Sequence, residues 1–320
     1  MGQTAPQAHS VRDTCRGMPL ALDLMKLSRP RHWVKNGIIL LPVVFARKAA
    51  EPDAWLAAGL AALTFILMSS GIYALNDVQD RRADRLHPHK SQRPVASGRV
   101  RPSHAISFAI CCIAAAIFLA GWQVSTLIII CCYLVLQLAY TYGLKHRPIA
   151  DVLCIAIGFV LRALMGSAAI SVSASSWLLV CAFTLCLFLG FCKRWAETVC
   201  LAEEASAWSH RKTLHAYTPE FLVHLVTLSA SIATMSYIMY CTSESTVQRF
   251  NTHALLLTVP FVLYGIYRFA MISMQGRYSD PVAALLADRP LMATGALWLA
   301  CVLLILYSPS YIALDLRLAH

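Results

Sequence analysis

The stretch Tyr73-Ala-Leu-Asn-Asp-Val-Gln-Asp-Arg-Arg-Ala-Asp84 follows an apolar run that is long enough to cross a bilayer. Asp77, Asp80 and Asp84 are spaced i, i+3 and i+7, so a helix of about 3.6 residues per turn places them on one face. Carboxylates that share a face repel each other unless a cation lies among them. Mg²⁺ prefers a few carboxylates together with water and phosphate oxygens. The spacing therefore predicts three catalytic, metal-binding aspartates, with Asn76 beside them as a substrate-binding residue.

A basic loop follows these aspartates. Its Lys and Arg side chains are Arg81, Arg82, Arg85, Lys90, Arg93, Arg99 and Arg101. An anionic face beside a basic loop suits a substrate that carries a magnesium-bound diphosphate. We expect the turn Arg93-Pro-Val-Ala-Ser-Gly98 to fold over the aspartates, because its proline and glycine redirect the chain. The plainer alternative is a solvated, acid-capped helix end at a membrane surface.

The rest of the chain is apolar. Of its 320 residues, 58% are hydrophobic and 13% are charged, whereas a typical soluble domain carries about 25% charged residues. A transmembrane helix needs roughly 20 mostly apolar residues. Nine stretches fit, at about 36–50, 54–75, 104–122, 125–141, 149–170, 176–192, 220–241, 253–273 and 291–308. We predict an all-α, polytopic membrane protein of about nine transmembrane helices, with one domain over 23–320 behind a disordered cytoplasmic segment over 1–22.

Basic residues are divided unevenly between the two ends of the predicted helices. The N-terminal segment and the long polar loops carry most of them. The opposite side carries only Arg47, Lys48, Arg249 and Arg317. The positive-inside rule then predicts an inner-membrane protein with a cytoplasmic N-terminus and an outside C-terminus. The net charge of +11 suits anionic lipids and substrates. Nucleic acid is not an expected partner, since the positive residues fringe membrane spans.

Several polar side chains near the cytoplasmic helix ends are candidate substrate-binding residues. They are Lys35, Lys90, Arg93, Tyr140, Tyr142, Lys145, Lys193, Arg194 and Glu197. Each has an ordinary alternative, because basic residues anchor membrane proteins at this face and tyrosines favour interfaces. Arg162 is different, since it lies some three turns inside the fifth predicted helix. A charge at that depth faces a cavity or a partner rather than lipid, so we expect Arg162 to line the substrate cavity.

The pattern Asn76-Asp77-x-x-Asp80-x-x-x-Asp84 resembles the first aspartate motif of the UbiA superfamily of intramembrane transferases. The resemblance implies a UbiA-like bundle of nine helices, with a site open to the cytoplasm and sideways to lipid. General members move a prenyl group from a magnesium-bound prenyl diphosphate to an aromatic acceptor, and they carry a second aspartate-rich motif after the sixth helix. This chain has Lys193-Arg-Trp-Ala-Glu197 there, without aspartate.

In that departure the sequence resembles one branch of the superfamily, the decaprenyl-phosphate phosphoribosyltransferases. The stretches that carry the likeness are Arg29-Pro-Arg-His-Trp-Val-Lys-Asn36, His87-Pro-His-Lys90 with Arg93-Pro94, Tyr142-Gly-Leu-Lys145, Leu161-Arg-Ala163, Lys193-Arg-Trp-Ala-Glu197 and Tyr217-Thr-Pro-Glu220. They imply transfer of 5-phosphoribose from phosphoribosyl diphosphate to a polyprenyl phosphate, with release of diphosphate. Mg²⁺ is the expected cofactor, with Mn²⁺ as a substitute. The enzyme is expected to act within a lipid bilayer.

Two other functions stay open at this point, and the sequence also leaves a homo-oligomer open. One is a UbiA-type prenyltransferase that acts on an aromatic or other small acceptor. The other is a transporter for an anionic solute. A transporter more often shows paired repeats and helices broken by Gly or Pro near the midplane, whereas the charges here cluster at one face.

Overall fold

The computed structural model describes residues 20–86, 90–203, 217–276 and 281–307, and this part consists of α-helices and short 3₁₀ helices without strands. Eight segments are long and apolar enough to span a bilayer, so the predicted all-α, multi-pass membrane bundle is confirmed. The long helices are α3 (Pro52–Gln79), α5 (Pro102–Ala120), α6 (Val124–Tyr142), α7 (Ala150–Ala169), α8 (Ser176–Glu203), α9 (Pro219–Thr242), α11 (Val259–Met274) and α13 (Arg289–Tyr307). The shorter ones are α1 (Leu20–Leu27), α2 (Leu41–Phe45), α4 (Arg81–Leu86), α10 (Glu244–Phe250) and α12 (Pro281–Ala287).

The first predicted span, at 36–50, is not a regular helix. Pro30–Leu40 is a 3₁₀ helix that leads directly into the short α2. With a rise of about 2.0 Å per residue in the 3₁₀ part and 1.5 Å in α2, the two pieces cover roughly 30 Å. That length matches the hydrocarbon core of a bilayer. Hydropathy locates an apolar run but not its hydrogen-bonding pattern, which explains the difference.

This crossing segment, residues 30–45, runs antiparallel to α3. Just before its start, Arg29 contacts Asp77 in the last turn of α3. Near its end, Val43 packs with Ala54 and Ala58 in the first turns of α3. The segment therefore runs alongside α3. It adds an apolar stretch of bilayer length to the eight helices that can span a membrane in the described part of the chain.

Helix α7 holds the crossing segment closely because Gly166 has no side chain. A Cβ atom at Gly166 would stand 2.1 Å from the carbonyl oxygen of Ile39, which no real contact allows. One turn earlier on α7, Arg162 donates a hydrogen bond to Asn36 of the same segment at 2.8 Å. A close backbone approach and a polar contact thus fix the segment against α7.

The bundle has two main apolar cores, and α7 takes part in both. Phe65 of α3 and Met165 of α7 belong to the first core, which α6 completes. Phe188 of α8 and Val226 of α9 belong to the second core, together with α11. Val152, near the start of α7, packs in the second core. Helix α7 thus links the two cores. Its first turn lies between the ends of α6 and α8, where the polar residues gather.

The start of the folded part differs from the predicted boundary at residue 22. Helix α1 begins at Leu20, so residues 20–22 are helical, and the helix packs in a buried cluster through Leu24 and Leu27. Residues 1–19 lie outside the described part, as do His87 and Pro88 of the branch-like stretches. The single domain over 23–320 stays a prediction.

Candidate active site at the charged end of the bundle

The three predicted aspartates lie where α3 passes into α4. Asp77 is in the last turn of α3, Asp80 caps that helix, and Asp84 is in α4. The Asp84 N–H donates to the Asp80 carbonyl oxygen at 2.8 Å, so helical hydrogen bonding continues across the junction. Asp77 and Asp84 are 2% and 5% exposed, whereas the Asp80 side chain is 35% exposed. Two carboxylates are therefore buried together and the third faces outward.

Each of these carboxylates is paired with a basic side chain, either from the loop that follows or from a distant part of the chain. Arg93 Nη1 lies 2.7 Å from Asp84 Oδ2 and 3.3 Å from Asp77 Oδ1, so one guanidinium bridges both. Arg29 Nη2 also donates to Asp77 Oδ1. Lys145, just beyond α6, donates to Asp80 Oδ1 at 2.6 Å. The predicted sites Arg93 and Lys145 are thus brought to the aspartates.

Arg29 was not among the predicted site residues. Its guanidinium is stacked over the Tyr73 ring, 4.9 Å from the centroid, and it reaches Asp77 from 48 positions away. Its place in the Arg-Pro stretch before the first crossing was the available signal, but the sequence supports a membrane anchor equally well there. Only the antiparallel course of the crossing segment shows that Arg29 meets the aspartates.

The basic turn lies over the aspartates because its backbone is anchored on both sides. Pro94, Val95 and Ala96 are buried, and Arg85 Nε donates to the Ala96 carbonyl oxygen at 3.0 Å. Further along the loop, Arg99 Nε donates to an oxygen of Asp23 in α1 at 3.1 Å. The turn therefore folds over the aspartates as predicted, and it presents Arg93 to them.

The donor atoms at this place suit a hard divalent cation. All the acidic ligands are carboxylate oxygens, and the neighbouring Asn76 Oδ1 is buried without a hydrogen-bond partner. An orphaned buried oxygen is costly unless something binds it, and oxygen donors are what Mg²⁺ prefers. Within the described residues, no three His, Cys, Asp or Glu side chains stand close enough to hold a metal ion, since Asp80 is turned toward Lys145. Metal binding by the aspartates stays a prediction, and the oxygen donors at this place are of the kind that Mg²⁺ prefers.

A second charged cluster joins α7, α8 and the start of α9. Arg194 Nε lies 3.1 Å from Asp151 Oδ2, and Arg194 Nη1 donates to Glu197 Oε2 at 2.5 Å. Arg194 is 1% exposed and Asp151 is fully buried. Arg194 and Glu197 were predicted to bind substrate. In the structure the guanidinium is enclosed by its own partners instead of facing an open surface.

Tyr217 completes this second cluster. Its hydroxyl donates to Asp151 Oδ1 at 3.2 Å and accepts the N–H of Ile149. Burial raises the pKa of the Tyr217 phenol to about 12, and the Asp151 carboxylate adds to the rise, so the hydroxyl keeps its proton at neutral pH. Asp151 also accepts the Val152 N–H at 2.8 Å in the first turn of α7.

Arg162 faces partners rather than lipid, as expected, but the partners belong to the chain. Its three nitrogens donate to Asn36 Oδ1 at 2.8 Å, the Gly158 carbonyl at 2.9 Å and the Tyr133 hydroxyl at 2.8 Å. The guanidinium also lies 5.3 Å from the centroid of the Phe65 ring. Arg162 is 5% exposed, so this structure gives it a holding role. Its predicted contact with substrate stays a prediction.

The other candidate residues are more widely spread. Lys35 is partly buried within the crossing segment. Tyr140 is partly buried in the last turn of α6. Tyr142, at the end of α6, is exposed. Two further candidates, Lys90 and Lys193, are partly buried at the charged end. The structure therefore gathers the aspartates with Arg93 and Lys145, and the remaining candidates lie in other parts of the bundle.

Comparisons with known proteins agree with this architecture. The model of the UbiA prenyltransferase family matches residues 37–285. The decaprenyl-phosphate phosphoribosyltransferase of Corynebacterium glutamicum is 33% identical, over 94% of this chain and 93% of that protein. The protein of the same name from Mycolicibacterium smegmatis is 34% identical, over 88% and 92%. A UbiA homolog from Archaeoglobus fulgidus, solved bound to GPP and Mg²⁺, has a TM-score of 0.67 at 17% identity, over 89% of this chain and 99% of that one.

Proposed function

This chain belongs to the UbiA prenyltransferase family and is a membrane-embedded transferase, and we propose that it moves 5-phosphoribose from phosphoribosyl diphosphate to a polyprenyl phosphate. The observation that carries the proposal is one-third identity, along nearly the whole chain, to two decaprenyl-phosphate phosphoribosyltransferases. The charged end of the bundle supplies the chemistry that such a reaction needs.

In the proposed reaction, the bond between ribose C1 and the diphosphate oxygen breaks, and the diphosphate leaves with the bonding electrons. An oxygen of the lipid phosphate forms the new bond to C1. The ribose ring carries positive charge in between, as in other glycosyl transfers. The lipid phosphate is already an anion near neutral pH, so no strong general base is required. Positioning and electrostatics then provide most of the rate acceleration.

The three aspartates are the proposed binding site for the metal-bound diphosphate. Asp77, Asp80 and Asp84 would hold Mg²⁺, with Mn²⁺ as a substitute, and Asn76 Oδ1 supplies a further oxygen. The bound ion would neutralise charge on the leaving diphosphate. The geometry that supports this role is the burial of Asp77 and Asp84 on one side of a half-exposed Asp80.

The anions of the substrates carry more negative charge than one or two divalent ions neutralise, and the remaining candidates are their proposed partners. A 5-phosphate and a lipid phosphate need positive donors of their own. We assign this role to Lys145 and Lys193 on one side, with the Tyr140 and Tyr142 hydroxyls, and to Lys35, Lys90 and Arg93 on the other. Arg162 and Arg194 instead join elements of the bundle, since Arg162 donates to Asn36 of the crossing segment and Arg194, which also pairs with Glu197, pairs with Asp151 of α7.

The residues near the C-terminal end of α8 favour a phosphorylated acceptor over an aromatic one. Lys193-Arg-Trp-Ala-Glu197 provides cations there, whereas a second aspartate cluster would repel a lipid phosphate. Arg194 already neutralises the carboxylates of Asp151 and Glu197. The prenyltransferase alternative predicts two acidic metal sites instead of one.

The reaction can be tested directly with purified protein. We expect labelled ribose phosphate to move from phosphoribosyl diphosphate to polyprenyl phosphate only when Mg²⁺ or Mn²⁺ is present. A parallel reaction offers a prenyl diphosphate and an aromatic acid. Transfer of the prenyl group, with no use of phosphoribosyl diphosphate, would contradict the proposal and leave the family assignment intact.

The proposed site faces the cytoplasm of a cell with an inner membrane. The uneven placement of Lys and Arg supports a cytoplasmic N-terminus and an outside C-terminus, and the antiparallel crossing segment is consistent with nine crossings. Reporter fusions after residues 90, 205 and 320 should give cytoplasmic, cytoplasmic and outside signals. An outside signal at 90 or 205 would put the aspartates on the wrong side for a soluble sugar diphosphate.

A further inference from the structure

The aspartates are already neutralised by the chain's own cations, at the place where a metal would bind. Arg93 bridges Asp77 and Asp84 through one nitrogen, and Arg29 adds a second guanidinium to Asp77. Lys145 takes Asp80. A divalent ion cannot enter among these carboxylates while the guanidinium of Arg93 lies between them. Metal binding therefore requires a cation of the protein to leave.

We infer that Arg93, together with Arg29, is an exchangeable counter-ion. In the metal-free protein the two guanidinium groups neutralise the aspartates and compete with an incoming metal ion. When the ion binds, they transfer to substrate phosphate. The inference deepens the proposed function, because it takes the aspartates as metal ligands. It adds that the protein binds metal weakly alone and strongly with a diphosphate, since the diphosphate accepts the displaced guanidinium groups.

The surroundings of the two arginines suit such an exchange. Their side chains are 28% and 23% exposed, for Arg93 and Arg29 respectively, while Asp77 is 2% exposed. Each guanidinium can therefore rotate toward the open side while the carboxylate stays in place. The Arg93 backbone keeps its position, because the buried residues 94–96 fix the turn. Only side-chain torsions need to change.

Arg29 is held at the aspartates at a conformational cost. Its φ is 54°, a left-handed value that is unfavourable for a residue with a Cβ, and the following Pro30 further disfavours helical backbone at this position. Strained backbone persists where the surrounding structure fixes it. Here the Trp33 Nε1 donor to the Ser28 carbonyl, at 3.2 Å, supports the bend. The fold thus directs this guanidinium to Asp77.

The decisive measurement is metal affinity without any substrate. Mn²⁺ binding to the full-length protein in lipid nanodiscs can be followed by electron paramagnetic resonance. We expect Arg93→Gln to bind Mn²⁺ about tenfold tighter or more than the wild type, because a charge-assisted hydrogen bond no longer opposes the ion. Arg29→Gln should shift the affinity in the same direction by less, since it contacts one carboxylate only.

A matched control removes a charge of the same sign nearby. Arg82 is exposed on α4, between Asp80 and Asp84 in sequence. Arg82→Gln reports the effect of net charge alone and should change Mn²⁺ affinity by less than about threefold, because exposed charges are screened. If Arg93→Gln gains no more than Arg82→Gln, the exchange is wrong.

The second arm adds inorganic pyrophosphate. In the wild type, pyrophosphate should strengthen Mn²⁺ binding, and Mn²⁺ should strengthen pyrophosphate binding by the same factor. In Arg93→Gln this mutual gain should fall by about tenfold, although Mn²⁺ alone binds tighter. An unchanged gain would show that Arg93 does not move to the diphosphate, and that outcome overturns the inference.

A third variant separates this inference from the function on which it rests. Asp77→Asn should abolish Mn²⁺ binding at the site. If Mn²⁺ binding is unaffected by Asp77→Asn, the metal site of the proposed function is wrong and the exchange is wrong with it. If Asp77→Asn abolishes binding while Arg93→Gln matches Arg82→Gln, only the exchange fails. A larger Mn²⁺-induced rise in Tm for Arg93→Gln than for wild type would support it further.

Discussion

The aspartate cluster and the Arg194 cluster lie at the same end of the bundle, and they differ in how their charges are enclosed. In the first, Arg29 and Arg93, whose side chains are 23% and 28% exposed, reach the buried Asp77 from two different loops. In the second, the Arg194 side chain is 2% exposed and Asp151 is fully buried. A buried, ion-paired charge is fixed in place, because moving it leaves an uncompensated partner. Charges that serve a reaction need the opposite arrangement, with one side open.

The largest expected effect is at the aspartates. Asp77→Asn should reduce turnover on the order of a thousandfold or more, because metal charge stabilisation contributes several kcal/mol to the transition state. The protein should still insert and fold, since the asparagine keeps the shape of the side chain. Asp80→Asn and Asp84→Asn should act alike. If activity survives both these variants and a chelator, the acidic face is structural. The two clusters would then not differ in function.

The next effect concerns stability in the enclosed cluster. Arg194→Leu should lower the free energy of unfolding by about 3–5 kcal/mol, because it leaves the Asp151 charge buried and unpaired. Thermal unfolding in detergent measures the loss, and the double variant Asp151→Leu/Arg194→Leu should recover part of it. Turnover per folded molecule should change little. A normal Tm with a tenfold weaker use of phosphoribosyl diphosphate would instead make Arg194 a substrate ligand.

A smaller loss of stability is expected at Arg162. Arg162→Leu removes three hydrogen bonds and should cost about 1–3 kcal/mol, through weaker attachment of the crossing segment to α7. Tyr133→Phe removes one of the same contacts and should cost less. Sequence alone suggested impaired substrate handling at this position. A stable Arg162→Leu protein with poor substrate affinity would show that Arg162 binds substrate.

The smallest effect is expected at the edge of the aspartate cluster. Lys145→Ala should weaken the use of phosphoribosyl diphosphate or lipid phosphate about tenfold, since a charge-assisted contact contributes ~1.5–3 kcal/mol. Arg147→Ala is the matched control, because Arg147 is exposed in the same loop. Equal effects of the two variants would show that Lys145 acts only through the net charge of the membrane face.

Local sequence pattern predicts some of this architecture but not its long-range pairs. The spacing of the aspartates and the Pro-Gly punctuation predict the acidic helix end and the turn that covers it. The partnership of Arg29 with Asp77 joins positions 48 apart, and that of Tyr217 with Asp151 joins positions 66 apart. Such pairs depend on how helices pack. Charge and hydropathy also look the same for an enclosed Arg194 and an exposed one, so its burial was not predictable.

The mixed 3₁₀ and α crossing also bears on how the protein enters the membrane during synthesis. Its first half carries Arg31 and Lys35, and such charges each cost roughly 2.5–3.5 kcal/mol when placed at the bilayer centre. We expect this segment to insert only as a hairpin with α3, whose last turn supplies Asp77 as partner to Arg29. A nascent chain truncated after residue 50 should then be extractable with alkaline carbonate, whereas one truncated after residue 101 should resist extraction. Assembly of the acidic site would thus begin before the later helices are made.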